Sequence, residues 1–292
     1  MDNIASDLRQ DVIHCLDRCI PARVLDCTVA IVQTTGPLVR QLGTGVLFRV
    51  ADHRFVVTAA HVLATANDAN STIGISNAHG GFIALPGTWL RTTANDGGTR
   101  NDPYDVAVRH LTDEETHRLH GKTFQTLTDI SFGEHSLEDH PHACFLLCGF
   151  PNIWWTTSAH AADTMRLKVL QYTAFRYEGS TAGLAGFESR LHFLLDAKEE
   201  EVFDPNGNEA TFRLRPGQRA RWPQDVAGVS GCGVWRIGNP CLPVQAWRAE
   251  DARLVGVLTS VYAKPALIKT TKWIAVTTLL NEAFPALRPH FT

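Results

Sequence analysis

The 292-residue sequence lacks the features that mark exported, membrane-spanning or nucleic-acid-binding proteins. Its first residues are acidic and polar, where a secretory signal would place positive charge before an apolar run. No window reaches the roughly 18 uncharged apolar residues that a membrane helix needs. The net charge is −3 and no basic run breaks the balance, which disfavours a protein that grips nucleic acid. We therefore expect a cytoplasmic protein that binds neither membrane nor nucleic acid.

A disulfide framework and a metal centre are not expected either. The seven cysteines form an odd count in a large chain without an export signal, which favours reduced and mostly buried thiols. Two groups of histidines lie close together in the sequence, His117 with His120 and His135 with His140 and His142. Neither group has a carboxylate or cysteine partner at a spacing that suits a metal ion, so no metal or other cofactor is expected. With 44% hydrophobic residues, the chain can bury a large core.

The periodicity of apolar residues predicts a helix at each end and strands between them. Residues 3–20 repeat apolar side chains at three- and four-residue spacing before Pro21, which predicts an amphipathic helix. From Val24 onward the spacing becomes two and glycine-rich turns recur, as in a series of antiparallel strands. Residues 112–120 open with a capping-box pattern that predicts a short helix, and residues 272–284 return to helical spacing.

Two polar residues stand where strands begin or end. His61 follows two alanines at the end of an apolar strand, a setting in which a sharp turn would present the imidazole as a general base. Asp105 opens an alternating strand 44 residues later, where a carboxylate either caps a turn or reaches inward to orient a base.

The stretch from Gly228 to Trp235 sets Ser230 between glycines at the start of an apolar strand. Such a turn exposes the hydroxyl and leaves nearby backbone N–H groups free to receive negative charge. Glycines flank serines in many ordinary turns, so this stretch alone is weak evidence for a catalytic serine. A histidine and an aspartate elsewhere, each in a setting that suits its role, strengthen that interpretation.

A histidine at a strand end (His61), an aspartate that opens a strand (Asp105) and a serine in a glycine turn (Ser230) follow one another in the sequence. With this order the chain resembles the chymotrypsin-like (trypsin-fold) serine peptidases, over roughly residues 25–285. The closer comparison is with bacterial intracellular members, because Val229 replaces the residue that zymogen-type relatives use for an activating ion pair. The matching pieces are Gly43-Thr44-Gly45-Val46-Leu47-Phe48, Thr58-Ala59-Ala60-His61-Val62, Asp105-Val106-Ala107-Val108, Gly149-Phe150-Pro151, Gly228-Val229-Ser230-Gly231 and Gly256-Val257-Leu258-Thr259.

The resemblance implies an all-β fold of two packed antiparallel six-stranded β-barrels, with the site in the cleft between them. The expected divisions are an N-terminal helix at 1–22, a first barrel at 23–128, a second barrel at 129–270, and a C-terminal helix and tail at 271–292.

The same resemblance implies a serine endopeptidase that cleaves protein or peptide substrates. Ser230 would be the nucleophile, His61 the general base and Asp105 the residue that orients it. The backbone N–H groups of Gly228 and Ser230 would form the oxyanion hole.

Substrate preference is less determined. Counting positions without gaps against trypsin-like relatives places Gln224 at the base of the specificity pocket, with Asp225 beside it. A gap of one residue would place Asp225 there, and the base of the pocket would then be acidic and not neutral. Thr259, grouped with them as a substrate-binding residue, matches the position where relatives place a small hydroxyl residue behind the aspartate.

Three alternatives stay open at this point. One is a latent or non-catalytic peptidase-fold module that binds a partner protein without cleaving it. In another, the N-terminal helix couples such a partner to a latent protease, as in bacterial stress-response or phage-defence assemblies. The third makes Cys232 the nucleophile, although a shift of two residues would aim its thiol away from His61.

Overall fold

A computed structural model describes residues 19–36, 38–64, 71–79, 81–93, 102–132, 139–140, 142–152, 156–158, 161–167, 169–197 and 227–291. Within these ranges the chain consists mainly of antiparallel strands, and the helices are short.

The first sheet has seven strands in the spatial order β5-β4-β1-β2-β3-β7-β6. Each apolar strand buries valine, isoleucine and phenylalanine side chains that suit a pleated, packed surface. The strands are β1 (Thr28–Thr35), β2 (Leu38–Val50), β3 (His53–Ala59), β4 (Ser71–Ser76), β5 (Phe82–Ala84), β6 (Leu90–Arg91) and β7 (Val106–Leu111).

The second sheet has six strands in the order β11-β8-β13-β14-β15-β12, and a separate two-stranded ribbon pairs β9 with β10. An antiparallel bridge between Arg176 and Leu195 joins the two edge strands, β11 and β12, so this sheet closes on itself. The strands are β8 (Cys144–Gly149), β9 (Thr156–Ser158), β10 (Ala161–Arg166), β11 (Leu170–Phe175), β12 (His192–Asp196), β13 (Gly233–Ile237), β14 (Arg253–Tyr262) and β15 (Leu267–Lys272).

Four α-helices lie in the described residues: α1 (Arg23–Asp26), α2 (Ala60–Ala64), α3 (Asp113–His117) and α4 (Ile274–Ala283). The capping box predicted before α3 is present. The Thr112 hydroxyl accepts from the Glu115 N–H at 3.2 Å, and the Glu115 carboxylate accepts from the Thr112 N–H at 2.7 Å. The helix is shorter than the predicted 112–120.

The C-terminal helix follows the second sheet but packs against the first. Trp273, directly before α4, is fully buried and packs edge to face against Phe48 of β2, with 5.3 Å between the ring centroids. Phe284, directly after α4, contacts Phe55 of β3 at 5.3 Å. Aromatic pairs of this kind add to the apolar burial that joins the two sheets.

The predicted all-β architecture of two antiparallel sheets is confirmed, together with the C-terminal helix. The first sheet has seven strands where six were expected, because the chain between β4 and β7 pairs as two very short edge strands, β5 and β6. Most of the N-terminal helix predicted over residues 3–20 lies outside the described residues. None of the helices in the described ranges combines the length and apolar character that spanning a membrane requires.

Candidate active site

His61 lies on the first turn after β3, where the chain enters α2. Ala59 and Ala60 are fully buried, so small side chains bring the backbone tightly past the sheet at this point. The imidazole itself is 43% exposed. The local sequence thus places a histidine at a strand end with one edge open to solvent, as predicted.

Asp105 lies immediately before β7 and bonds to both the ring and the backbone of His61. One carboxylate oxygen, Oδ2, lies 2.7 Å from His61 Nδ1, and the other, Oδ1, accepts from the His61 backbone N–H at 2.9 Å. A third bond runs from the Ala60 N–H to the Asp105 carbonyl at 3.0 Å. The Asp105 side chain is 12% exposed, so little water competes for these bonds.

This geometry determines the tautomer of the neutral imidazole. An ionised carboxylate can only accept hydrogen bonds, so Nδ1 of His61 carries the proton that Asp105 receives. The Nε2 atom then holds a lone pair, and in the part of the chain that the structure describes it makes no hydrogen bond. A histidine oriented in this way can take a proton from a neighbouring hydroxyl.

Ser230 lies in the turn that leads directly into β13 of the second sheet. Gly228 and Gly231 flank it with φ angles of +96° and +87°, which glycine adopts without strain. The Gly231 N–H donates to the Leu258 carbonyl at 2.8 Å, and the Thr44 N–H donates to the Ser230 carbonyl at 2.9 Å. One bond anchors the turn to its own sheet and the other anchors it to the first sheet.

Two glycines let this turn approach the chain on either side of His61. A Cβ atom on Gly231 would overlap Thr58 Oγ1 and would lie 2.9 Å from the Ala59 nitrogen. A Cβ atom on Gly43 would lie 2.7 Å from the Val62 side chain and 2.9 Å from the Ser230 carbonyl oxygen. The serine turn therefore packs against Thr58 and Ala59 before His61, and Gly43 of β2 lies between the Ser230 carbonyl and Val62 after it.

Ser230 Oγ and His61 Nε2 are not joined by a hydrogen bond in the described residues. Nucleophile–base bonds in unliganded active sites are often long and shorten only when substrate binds. The structure thus joins His61 to Asp105 directly, and it brings Ser230 near them through backbone packing.

The backbone around Gly228 is suited to receive negative charge. Among the described residues, the N–H groups of Gly228 and Ser230 donate no hydrogen bond. The opposite face of the turn is held by Thr44, whose hydroxyl donates to the Gly228 carbonyl at 2.8 Å, and by Gln41 Nε2 at 3.5 Å from the same oxygen. A Cβ atom on Gly228 would overlap Asn152 Oδ1. Unbonded N–H groups are one of the features that an oxyanion hole needs, and the assignment of Gly228 and Ser230 to one stays a prediction.

Of the three residues predicted to bind substrate, the structure describes only Thr259. Gln224 and Asp225 lie outside the described residues. Thr259 is fully buried in β14, and its hydroxyl lies 3.0 Å from the Thr271 hydroxyl of β15.

The alternative nucleophile, Cys232, is fully buried. Burial, with a smaller contribution from Cys148, raises the pKa of its thiol well above the ordinary value. A nucleophilic cysteine needs the opposite, a thiolate that is accessible and stabilised. The described ranges also contain no group of three His, Cys, Asp or Glu side chains placed to hold a metal ion.

Several residues at this site carried no assigned role from the sequence. Thr44 belongs to the quoted Gly-Thr-Gly piece, whose small residues are a signal of close packing but do not indicate which groups the threonine bonds. His192, Lys269 and Thr271 of the second sheet lie behind Asp105, and their strand positions gave no indication of this.

No protein-family model matches the chain, and no curated protein matches it. Among solved structures, the chain is similar to the thermostable serine protease AL20 from an extremophilic microorganism, at 14% identity over 88% of this chain and 96% of that one, with a TM-score of 0.48. It is also similar to the serine protease domain of the Sesbania mosaic virus polyprotein, at 14% identity over 86% and 90%, with a TM-score of 0.39.

Proposed function

We propose that this chain is a serine endopeptidase in which Ser230, His61 and Asp105 act together. The observation that carries the proposal is the pair of hydrogen bonds that the His61 ring and backbone make to the Asp105 carboxylate, which leaves Nε2 without a hydrogen bond in the described residues. A partly exposed histidine that is oriented at Nδ1, in a chain segment against which the Ser230 turn packs, supports the pairing of a general base with its nucleophile.

In the acylation half of the reaction, Ser230 Oγ attacks the carbonyl carbon of the scissile peptide as Nε2 of His61 takes its proton. The resulting imidazolium is stabilised by the Asp105 carboxylate. When the tetrahedral intermediate collapses, the C–N bond breaks and His61 returns the proton to the leaving amine. The acyl group remains as an ester on Ser230.

In the second half, water attacks the ester and His61 takes a proton from that water. The same histidine then protonates Ser230 Oγ as the C–O bond breaks, which releases the carboxylic acid product and regenerates the enzyme. In both halves the carbonyl oxygen gains negative charge, and the N–H groups of Gly228 and Ser230 receive it. Each donor of this kind contributes about 3–4 kcal/mol to lowering the barrier.

Labelling with a fluorophosphonate tests this proposal. The reagent phosphonylates an activated serine, so mass spectrometry should locate the label on Ser230. Labelling should disappear in Ser230→Ala and fall at least about 1,000-fold in rate in His61→Ala. Ser180→Ala, which changes an exposed loop serine, is the matched control and should label normally.

A second candidate function is a latent or non-catalytic module that binds a partner protein. The absence of a Ser230–His61 hydrogen bond within the described residues is the observation that favours it. A folded protein that neither labels at Ser230 nor cleaves a peptide library would support this candidate and contradict the first. Labelled protein that cleaves the library would also show whether Gln224 and Asp225 select a neutral or a basic residue before the cleaved bond.

The setting we propose is the bacterial cytosol. Cys27, Cys148 and Cys232 carry free thiols in the core, as expected of a protein that folds under reducing conditions. Retention of full labelling activity in excess dithiothreitol would agree with this setting, and loss of activity on reduction would contradict it.

A further inference from the structure

His192, the first residue of β12, joins the second sheet to the segment that carries Asp105. It is 1% exposed, and both ring nitrogens are used. Nε2 lies 2.6 Å from the carbonyl oxygen of Pro103, and Nδ1 lies 2.9 Å from the backbone nitrogen of Glu188. Because a carbonyl accepts and a backbone N–H donates, Nε2 carries the proton and Nδ1 carries the lone pair. The neutral histidine therefore links two backbone segments.

Thr271 holds the next carbonyl along the same segment. It lies opposite His192 in the ladder between β12 and β15, and its hydroxyl donates to the Tyr104 carbonyl at 2.9 Å. Two neighbouring side chains of the second sheet thus bind two consecutive carbonyls immediately before Asp105. A further bond, from the Tyr104 N–H to the Asp102 carboxylate at 3.0 Å, lies within the segment itself.

Asp105 needs such restraint because its φ angle is +49°, in the left-handed region that non-glycine residues rarely adopt. Residues persist in this region where the surrounding structure holds them there. In this conformation the Asp105 carboxylate bonds both the ring and the backbone N–H of His61. Any relaxation of the segment would change both bonds together.

We propose that His192 is a positioning residue for Asp105, which it holds in place through its bond to Pro103. The two residues of the acid–base pair lie at strand ends of the first sheet, yet their mutual geometry then depends on a side chain of the second sheet. This inference rests on the proposed hydrolytic function, since it assigns His192 a role in orienting the general base.

The charged groups that face His192 are Glu188 on its own loop and Lys269 on β15, two residues before Thr271 on the same strand face. Lys269 Nζ donates to the Gly186 carbonyl at 3.3 Å. Burial and then the Lys269 charge lower the pKa of His192 to about 4. The neutral form that links Pro103 to Glu188 is therefore maintained near neutral pH.

Two substitutions separate the two bonds of His192. In His192→Gln the amide nitrogen occupies the place of Nε2 and can still donate to Pro103. In His192→Asn the amide oxygen occupies the place of Nδ1, so the bond from Glu188 is kept but the shorter side chain does not reach Pro103. Thr271→Val removes the adjacent bond to Tyr104 with little change in shape.

Two readouts are measured on the full chain: the low-field proton resonance of the His61 Nδ1–H, assigned by its loss in His61→Ala, and kcat and KM for a peptide substrate. We expect the resonance and most of the activity to remain in His192→Gln. In His192→Asn the resonance should shift or vanish and kcat should fall about ten- to hundredfold with KM unchanged. Near-native resonance and kcat in a folded His192→Asn variant would overturn the proposal, as would equal losses in both variants.

If circular dichroism shows that His192→Asn does not fold, His192→Phe supplies the test, because it fills the ring volume without a donor for Pro103, and an unchanged His61 resonance in that variant would contradict the proposal. The resonance also separates the two hypotheses. A wild-type protein that shows the resonance but does not hydrolyse peptides contradicts the proposed function alone, whereas an active protein with an unaltered resonance in His192→Asn contradicts the role of His192 alone.

Discussion

The two halves of the candidate site are built differently. In the half from the first sheet, His61 and Asp105 are joined side chain to side chain and side chain to backbone. In the half from the second sheet, the Ser230 hydroxyl makes no hydrogen bond within the described residues, and backbone bonds and glycine packing hold its turn.

This difference shows where the geometry of each half originates. The acid–base pair is a direct contact between two strand ends of one sheet, supported from behind by His192 and Thr271. The nucleophile's position depends on how closely the two sheets dock, and Thr44 is central to that docking. Its N–H and its hydroxyl donate to the serine turn, and the hydroxyl also accepts from the Phe150 N–H at 2.9 Å.

The largest expected effect comes from breaking the first half with Asp105→Asn. An amide can donate to Nδ1, which favours the wrong tautomer of His61, so kcat should fall about 10,000-fold while the fold is kept. Peptide hydrolysis measures the loss. Asp113→Asn, on a fully exposed side chain, is the matched control and should keep activity near wild type. Comparable activity in the two variants would show that Asp105 does not orient the base.

The next largest effect comes from breaking the second half with Gly228→Ala. The φ angle of +96° and the overlap of a Cβ with Asn152 would force the turn to move, so kcat should fall about 100- to 1,000-fold. Gly183→Ala separates the effect of φ from that of packing, because Gly183 has a φ of +81° and nothing within 4 Å of its Cβ position. Equal loss of kcat in both variants would argue against an oxyanion role for this turn.

A smaller effect is expected from Thr44→Val, which weakens the docking of the halves. It leaves the Phe150 N–H and the Gly228 carbonyl without their hydroxyl partner, and unfolding in urea should show a loss of about 2–3 kcal/mol. Thr270→Val is the control, since the Thr270 hydroxyl is buried and has no hydrogen-bond partner among the described residues. Its removal should be neutral or stabilising, and a large loss there would undermine the assignment to Thr44.

An effect of similar size, spread over a range of pH, is the pH dependence of stability that comes from His192. Its pKa is about 4 in the folded protein, below the ordinary 6.5, so the unfolded chain binds a proton first as the pH falls. The free energy of unfolding should decrease by about 2–3 kcal/mol between pH 7.5 and 4.5 because of this residue. Denaturant titrations at several pH values give the free energy of unfolding of wild type and of His192→Gln. The contribution of His192 is the difference between the two proteins in how this free energy changes with pH. Parallel pH curves would show that His192 does not contribute.

Features that depend on a few neighbouring residues were predictable. The capping box at Thr112 and Glu115 formed as the pattern indicates, because its two bonds span three residues. The same holds for the strand end that presents His61. The expected number of strands in the first sheet was wrong by one, since β5 and β6 are too short to show a period.

The contacts of the site were less accessible to prediction, because they join residues far apart in the chain. His192 lies 89 residues from Pro103, and Thr44 lies 184 residues from the Gly228 oxygen it binds. Such partners are chosen by how the sheets stack, and no local pattern in a single sequence encodes that choice. Cys232 illustrates the point, since its position in the sequence aims it away from His61 but its complete burial is visible only in the tertiary structure.

By itself, the sequence determined the kinds of groups at the site and the local turns that present them, because small residues, glycines and strand periodicity act over short distances. The tertiary structure alone decided how these groups meet. It brought Asp105 within 2.7 Å of His61, packed the Ser230 turn beside them and added His192 behind the acid. Those distances result from the docking of two closely packed sheets, in which every side chain limits its neighbours.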